Sequence, residues 1–236
     1  MSNSKRAAGR AAAERVESGM VVGLGTGSTV FYTLERLGER VRDEGLELSG
    51  LPTSTDTETK AREFGIPLVG FDELAPAAGG GGIDLTIDGA DEIDGAFRMI
   101  KGGGGALLRE KVVASLSRSV TIIVHEAKVV TDLGAAFPLP VEVVPFARTP
   151  VRRALVALGA EPLLRVDANG QPFRTDNGNE ILDCAFEGGI ADPEALATAL
   201  AGVPGVVESG LFLGLCDRLV IGRDDGGVEE RTLEGA

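Results

Sequence analysis

The chain has 236 residues, of which 43% are hydrophobic and 25% charged, and a formal net charge of −13. This length can bury a full core in one large domain or two small ones, and no apolar run is long enough to span a membrane. The acidic balance argues against nucleic acid as a partner, and the lack of an apolar block of signal-peptide length near the N-terminus predicts a cytoplasmic protein.

The first half of the chain alternates predicted helices and strands. Helical spacing of apolar residues predicts helices at 5–17, 30–41 and 106–116, with a shorter one that ends at Gly65. Short apolar or alternating runs predict strands at 20–24, 46–51, 66–69, 83–88 and 120–124. The glycine- and alanine-rich segment Ala75–Gly82 is predicted to be a loop. Strands that alternate with helices indicate an α/β domain with a mostly parallel sheet.

The pattern changes after Asp132. Three prolines in FPLPVEVVPF predict a linker that leads into an edge strand. Further on, Thr149-Pro150 and Asp192-Pro193 begin helices, Asn177-Gly178 predicts a turn between strands, and strands are predicted near 162–166, 179–184 and 206–211. This β-α-β-β-α-β order is ferredoxin-like and predicts a smaller α+β domain. Two domains are therefore predicted. The main domain comprises 1–131 and 208–236, because 218–222 is expected to return to the main sheet, and the small domain comprises 132–207.

The sequence GLGTGST, from Gly23 to Thr29, joins a predicted strand to a predicted helix. Such a turn directs backbone N–H groups and the helix dipole at one point, which suits a phosphate. It is similar to the dinucleotide fingerprint, but Ser28 replaces the third glycine and no acidic residue ends the second strand. A small phosphate is therefore favoured over a nucleotide. Local amides and lysines must then offset the net charge of −13.

The acidic segment DGADEID begins where the strand at 83–88 ends. In open α/β sheets, ligands lie beyond the carboxyl ends of the strands, so Asp88 and Asp91 are candidates for an active site. A calcium loop of the EF-hand type is disfavoured, because Ala90 occupies a position that requires a carboxylate or an amide. A solvated acidic turn is the alternative.

The next segment, KGGGGALLREK, starts with Lys101 and leads through four glycines into the helix that carries Glu110. Glycines allow a backbone to approach a ligand closely. An ammonium and a carboxylate near two aspartates are suited to proton transfer beside a carbonyl group. The alternative for Glu110 and Lys111 is an exposed helical pair.

The remaining candidates for special chemistry are few. His125 is the one histidine, and we expect it to be structural or exposed. Lys128, three residues later, is expected at the same edge of the sheet. A metal site would have to consist almost entirely of carboxylates, and we predict none. Cys184 and Cys216 are far apart without a CxxC motif, which predicts core residues rather than a disulfide.

These motifs together resemble the ribose-5-phosphate isomerase type A family. The resemblance rests on GLGTGST, Ser54-Thr55, DGADEID, KGGGGALLREK, FPLPVEV, TDNGN and PGVVESGLF, which follow the order of the family from about residue 5 to residue 222. It implies a cofactor-free aldose–ketose isomerase of the pentose phosphate pathway that acts on a sugar phosphate. It also implies a Rossmann-like main domain and a homodimer or dimer of dimers, with the small domain serving oligomerisation and covering the active site.

Roles for individual residues follow from the same resemblance. Glu110 would be the general base, Asp88 would move protons on the substrate oxygens, Asp91 would assist ring opening, and Lys101 would stabilise the oxyanion. The implied substrate-binding residues are Thr26, Gly27, Ser28, Thr29, Asp88, Gly89, Ala90, Asp91, Lys101, Gly102, Gly103, Gly104, Lys128 and Lys5. His125 and Glu126 depart from the family pattern.

Two other functions remain open at this point. An amino-sugar phosphate deaminase is the nearest enzyme alternative. A regulator that senses a sugar phosphate is the non-enzymatic one, but it would require a basic helix-turn-helix region that this sequence lacks. The combination of Asp88, Asp91, Lys101 and Glu110 favours the isomerase.

Overall fold

The structure, a computed structural model, describes residues 2–74 and 82–233. Apart from Gly82, the loop predicted at Ala75–Gly82 lies outside the described residues. The chain forms two compact units. The first comprises Met1–Ala90, Arg109–Val129 and Leu215–Ala236, and the second comprises Asp91–Leu108 and Val130–Gly214. No helix of the described segments has the length and apolar character that crossing a membrane would need.

The helices and strands are numbered here in chain order. The helices are α1 Ser2–Ala13, α2 Val30–Glu44, α3 Thr55–Glu63, α4 Leu107–Ser115, α5 Arg148–Ala157 and α6 Pro193–Ala201. The strands are β1 Met20–Leu24, β2 Leu48–Pro52, β3 Leu85–Asp88, β4 Glu92–Ile93, β5 Met99–Ile100, β6 Val120–His125, β7 Leu139–Val143, β8 Glu161–Leu164, β9 Glu180–Ala185, β10 Val206–Ser209, β11 Leu211–Phe212, β12 Arg218–Gly222 and β13 Val228–Thr232.

The first unit contains a six-stranded sheet in the order β13-β12-β6-β3-β1-β2. All neighbouring pairs are parallel except β12 and β13. The predicted parallel sheet, and the return of 218–222 to it, are therefore confirmed. The strand expected at 66–69 is wrong, because this segment makes only an isolated bridge from Leu68 to Gly50. Pro67 lacks an amide hydrogen, which limits any longer ladder.

Helices α1 and α2 pack closely in the first unit. A Cβ atom on Gly9 would lie 2.8 Å from the Thr29 carbonyl oxygen, and the Thr33 hydroxyl donates to the Gly9 carbonyl at 3.0 Å. The helix predicted at 5–17 therefore exists but ends earlier, at Ala13. Its apolar face joins the core with the central strands, through residues that include Ala8, Ala12, Val22, Leu34, Leu37 and Ile87.

The second unit contains a four-stranded antiparallel sheet in the order β10-β7-β9-β8. The connectivity β7-α5-β8-β9-α6-β10 is the predicted ferredoxin-like arrangement, which is thus confirmed. The edge position expected for the proline-rich strand is wrong, because β7 pairs on both sides. Pro140 is accommodated at the end of its pairing with β10. There its carbonyl accepts from Gly210 N at 2.7 Å, while the Gly210 carbonyl accepts from Lys101 N at 2.9 Å.

A smaller three-stranded sheet, in the order β11-β5-β4, also belongs to the second unit. This sheet explains why Asp91–Leu108 belongs to the second unit. The sequence instead predicts this segment as part of the main domain, 1–131. Strands β4 and β5 pair with each other, and β5 pairs with β11. Backbone pairing thus carries Lys101, the residue directly after β5, into the second unit.

Candidate active site

Three neighbouring parallel strands of the first unit end at or shortly before residues predicted to bind a ligand. Strand β1 ends at Leu24, before the glycine-rich turn, and β3 ends at Asp88. Strand β6 ends at His125, three residues before Lys128. The strands lie in the order β6-β3-β1, so these segments meet at one edge of the sheet. This is the edge at which open α/β sheets bind ligands.

The glycine-rich turn joins β1 directly to α2, as predicted. Gly27 has a φ of 121°, which favours glycine, and Phe31 N donates to its carbonyl at 3.0 Å. Thr29 precedes the helix, and its side chain makes no capping hydrogen bond. Lys5 reaches the turn from α1 and donates to Ser28 Oγ at 2.8 Å. An ammonium group, a hydroxyl and a helix N-terminus therefore converge here, as an anion would require.

Asp88 is 2% exposed at the end of β3. Its Oδ1 accepts hydrogen bonds from Thr26 N at 3.0 Å and from Gly89 N at 2.7 Å. Both bonds come from the backbone, so they fix the orientation of the carboxylate relative to the glycine-rich turn. Gly89 itself has room, since a Cβ atom there would be 3.8 Å from the nearest atoms. Ala90 is the last residue of this segment of the first unit.

A cluster of hydroxyl groups forms hydrogen bonds to the glycine-rich turn. Thr26 Oγ1 lies 2.9 Å from Thr53 Oγ1, 2.8 Å from Ser54 Oγ and 3.2 Å from Thr57 Oγ1. Thr57 Oγ1 donates to the Gly25 carbonyl at 2.7 Å. The sequence indicated a hydroxyl-rich loop after β2, but it did not predict that these hydroxyls would hold the residue whose amide binds Asp88.

Glu110 lies in the first turn of α4 and is 5% exposed. One turn later, Val113 packs against β1, where a Cβ atom on Gly23 would be 2.6 Å from Val113 Cγ1. The alternative interpretation of Glu110 as part of an exposed helical pair is therefore wrong. Carboxylates are seldom buried to this degree without a partner or a function.

Two other predicted residues, Asp91 and Lys101, belong to the second unit. Asp91 N donates to the Ile100 carbonyl at 2.8 Å, and Asp91 Oδ2 accepts from Gly103 N at 2.7 Å. Lys101 is 3% exposed, and its Nζ lies 5.3 Å from the centre of the Phe212 ring. The ring face attracts the buried ammonium group.

The glycine loop after Lys101 is tightly constrained. Gly102 has a φ of 104°, and Gly105 N donates to its carbonyl at 2.9 Å. A Cβ atom on Gly103 would be 2.6 Å from Asp91 Oδ1. Arg165 also contacts the loop through Nη1, 2.9 Å from the Gly102 oxygen and 3.1 Å from the Gly103 oxygen. Arg165 was missed from the sequence, because it lies more than 60 positions away and belongs to no local motif.

His125 contacts one residue nearby in the chain and one residue far from it. Its Nδ1 accepts from Ala127 N at 3.3 Å, which leaves the proton of the neutral ring on Nε2, 3.0 Å from Asp224 Oδ1. The hydrogen bond from His125 lowers the pKa of Asp224. With Glu126, these side chains form a cluster of possible metal ligands. Coordination through Nε2 would require the proton on Nδ1, which already faces an amide N–H, so the tautomer disfavours a metal.

The chain is similar over its length to known proteins of one type. A family model described as ribose 5-phosphate isomerase A (phosphoriboisomerase A) matches residues 49–226. The chain is 50% identical over 229 residues to Ribose-5-phosphate isomerase A of Listeria innocua, covering 97% of this chain and 98% of that protein. The corresponding protein of Roseobacter denitrificans is 51% identical, with 94% and 84% covered.

Solved structures agree with these sequence relatives. Ribose 5-phosphate isomerase from Plasmodium falciparum matches with a TM-score of 0.92 and 38% identity, over 99% of this chain and 100% of that one. A D-ribose-5-phosphate isomerase in complex with phospho-erythronic acid matches with a TM-score of 0.91 and 35% identity, over 98% of both chains.

Proposed function

The chain belongs to the ribose 5-phosphate isomerase A family, and we propose that Glu110 is the base with which it interconverts D-ribose 5-phosphate and D-ribulose 5-phosphate. This aldose–ketose isomerisation is a step of the non-oxidative pentose phosphate pathway. The observation that supports the assignment is the burial of three ionisable groups within one stretch of the chain: Asp88, Lys101 and Glu110 are 2%, 3% and 5% exposed. Such groups are rarely buried without a functional reason.

The reaction moves one proton between neighbouring carbons. The carboxylate of Glu110 removes the proton from C2 of the open-chain aldose, and the C–H electrons form a C1=C2 double bond while the carbonyl oxygen takes up negative charge. Protonation of that oxygen gives the enediol. Return of the carbon-bound proton to C1 and loss of the O2 proton give the ketose, so atoms and electrons balance without an external reductant or oxidant.

Asp88 transfers protons at the two substrate oxygens in this proposal. The amides of Thr26 and Gly89 hold its Oδ1, which fixes the carboxylate in one orientation. A group that exchanges protons with O1 and O2 in turn benefits from such a fixed position, because proton transfer depends on distance and alignment.

Lys101 stabilises the negative charge that develops on the enediolate, and Asp91 assists opening of the sugar ring. The burial of Lys101 supports this role, because a charge acts more strongly where water is excluded. The hydrogen bond from Gly103 N to Asp91 gives that carboxylate a defined orientation. Among candidate binding residues, Gly102 and Gly104 flank Gly103 and would bring backbone groups close to the sugar.

The phosphate binds at the turn Thr26–Thr29 in this proposal, with Lys5 and Lys128 as the cations. The contact of Lys5 with Ser28 supports it, as does the helix that begins directly after Thr29. These local positive groups offset a chain with a net charge of −13. Phospho-erythronic acid, the ligand named for the solved relative, combines a phosphate with a planar carboxylate that resembles an enediolate. We expect it to inhibit this chain competitively.

The direct experiment measures conversion of ribose 5-phosphate by the purified chain in excess EDTA with no added cofactor, and incorporation of solvent deuterium into the product. Glu110→Gln keeps the size of the side chain and removes the base. We expect turnover to fall by about 10²–10⁴-fold with folding retained, while the control Glu58→Gln, at a partly exposed position of α3, stays active. Near-normal turnover by Glu110→Gln would reject Glu110 as the base.

We further propose a cytoplasmic homodimer or dimer of dimers, in which the second unit serves oligomerisation and covers the substrate. Large apolar side chains exposed on this unit support an oligomer, notably Phe146 at 96% and Leu163 at 69% exposure. Light scattering on the purified chain tests this part, and a monomeric mass at micromolar concentration would contradict it.

A further inference from the structure

Arg165, directly after β8, binds two consecutive carbonyl oxygens of the glycine loop. Its Nη1 lies 2.9 Å from the Gly102 oxygen and 3.1 Å from the Gly103 oxygen. Lys101, the proposed oxyanion-stabilising residue, immediately precedes these glycines. A single side chain of the ferredoxin-like sheet therefore sets the direction of two peptide groups beside a proposed catalytic residue.

The guanidinium group of Arg165 is itself held in place. Asp183 on β9 accepts from Arg165 Nε at 2.9 Å and from Nη2 at 2.5 Å, a bidentate pair. The side chains are 15% and 22% exposed, and the Phe173 ring lies 5.8 Å from the Arg165 Cζ. Two parallel hydrogen bonds fix the plane of the guanidinium, so its remaining Nη1 points in a defined direction.

The peptide group between Gly102 and Gly103 is bound at both ends. Its oxygen accepts from Arg165, and its N–H donates to Asp91 Oδ2 at 2.7 Å. A trans peptide is planar, so fixing the oxygen also fixes the direction of the N–H. The peptide therefore connects a cation on one side with a proposed catalytic carboxylate on the other, and a change at Arg165 is transmitted to Asp91.

We propose that Arg165 is a positioning residue for the isomerisation. It orients the Gly102 and Gly103 peptides, and through them the Asp91 carboxylate and the start of the loop at Lys101. This role rests on the proposed function of Asp91 and Lys101. Arg165 needs no contact with the substrate, and Asp183 serves it by holding the guanidinium plane.

Lysine cannot replace Arg165 in this role. An ammonium group carries the same charge, but it lacks the planar set of donors that binds a carboxylate bidentately while a further N–H reaches two carbonyls. Arg165→Lys therefore tests geometry at constant charge. Asp183→Asn keeps the size of the partner and weakens the charged pair, so it is also expected to lower kcat.

The main experiment compares kcat and KM for ribose 5-phosphate in wild type, Arg165→Lys and Asp183→Asn, with Arg153→Lys on the exposed face of α5 as the matched control. A misplacement of about 1 Å at catalytic groups can cost about 100-fold. We expect Arg165→Lys to lose about 10–100-fold in kcat with KM changed by less than about threefold. The control should match wild type. An unchanged kcat in a folded Arg165→Lys would overturn the proposal.

Two further measurements separate positioning from general stability. In Arg165→Ala, added guanidinium, at concentrations far below those that unfold the chain, is expected to restore part of kcat, but it should not restore Lys101→Ala. In a variant that already carries Asp91→Asn, Arg165→Lys should lower kcat by a smaller factor than it does in wild type, because the two residues act through one peptide. If the effects of Arg165→Lys and Asp91→Asn on kcat were fully additive and guanidinium restored no activity, Arg165 would have a purely structural role.

The same assays test the proposed function and the proposed role of Arg165 separately. If wild type fails to convert ribose 5-phosphate, the proposed function is wrong. If wild type is active and Lys101→Ala is impaired while the Arg165 variants behave normally, the proposed function stands and the role of Arg165 is wrong.

Discussion

Gly25 lies so close to Asp88 that a Cβ atom on it would be 2.2 Å from Asp88 Oδ1. Gly25 is the first residue after β1, and its amide donates to the Ile87 carbonyl at 2.9 Å. The absence of a side chain at this position is therefore what allows the Thr26 amide to reach the carboxylate. The glycine-rich turn serves Asp88 as well as the proposed phosphate site.

Gly25→Ala is expected to displace the Asp88 carboxylate. The added methyl group cannot fit without moving Asp88 or the turn, so kcat should fall by about 10–100-fold. Overpacking should also lower the free energy of unfolding by about 1–3 kcal/mol. Steady-state kinetics and urea unfolding measure the two effects. Gly95→Ala, where a Cβ atom would meet open space, is the control and should retain both properties.

Thr57→Val is expected to destabilise the turn from within the hydroxyl cluster. Valine keeps the size of threonine but removes the hydroxyl that donates to the Gly25 carbonyl at 2.7 Å and accepts from Ser54 Oγ at 3.0 Å. A buried carbonyl that loses its donor costs about 1–3 kcal/mol, which urea unfolding can measure. Thr57→Ser retains the hydroxyl and should lose less. Equal losses in the two variants would contradict a dominant role for the hydroxyl, because Thr57→Ser removes only the methyl group.

Lys101→Ala is expected to reduce turnover more than it weakens substrate binding. The ammonium charge is needed most when the enediolate carries negative charge, so the loss should appear mainly in kcat. The partly exposed Lys60, paired with Asp56 on α3, provides the control variant Lys60→Ala. If Lys101→Ala raises KM alone and leaves kcat near the wild-type value, Lys101 anchors the substrate without stabilising the transition state.

The two cysteines are expected to be unreactive in the folded chain. Burial raises the pKa of Cys184 to about 12 and that of Cys216 to about 12. Since the thiolate is the reactive form, iodoacetamide at about pH 8 should modify the native chain far more slowly than the urea-unfolded chain. Mass spectrometry measures the rates. Rapid labelling of the native chain at either position would contradict the predicted burial.

The same shifts predict how stability depends on pH. The folded state keeps both thiols protonated, whereas the unfolded chain loses these protons above about pH 8.5. The stability contributed by the thiols is therefore complete below that pH and is lost as the pH rises towards 12. The difference in unfolding free energy between wild type and a Cys184→Ala, Cys216→Ala double variant should show this trend. A flat difference would contradict it.

The sequence was sufficient for much of the fold, because local patterns depend on local physics. Short apolar runs and helical spacing predicted β1, β3 and β6, together with α2 and α4. Proline and asparagine-glycine signals located α5, α6 and the turn at Gly178, whose φ is 80°. Two predictions failed: the strand expected from the apolar run at 66–69, and the edge position expected from the prolines of β7. In both places the outcome depends on which strand lies beside the segment, and a local pattern does not give that.

The four proposed catalytic residues could be named from the sequence, because they lie in two short motifs between Asp88 and Glu110. Their glycines and carboxylates are unusual enough in spacing to indicate proton-transfer chemistry and to carry a family resemblance. Nothing in those motifs specified which neighbours would hold them. The boundary between the two units falls within the stretch, at Asp91 and again after Leu108, and backbone pairing with β11 decides it.

Sequence alone thus predicted the order of the main helices and strands, the glycine-rich turns and the types of ionisable group available for the reaction. Only the tertiary structure decided that Thr57 would support the turn beside Asp88, and that Arg165 with Asp183 would hold the peptides after Lys101. The physical reason is that these contacts join residues far apart in the chain. They arise from the order of strands in each sheet, which no local periodicity encodes.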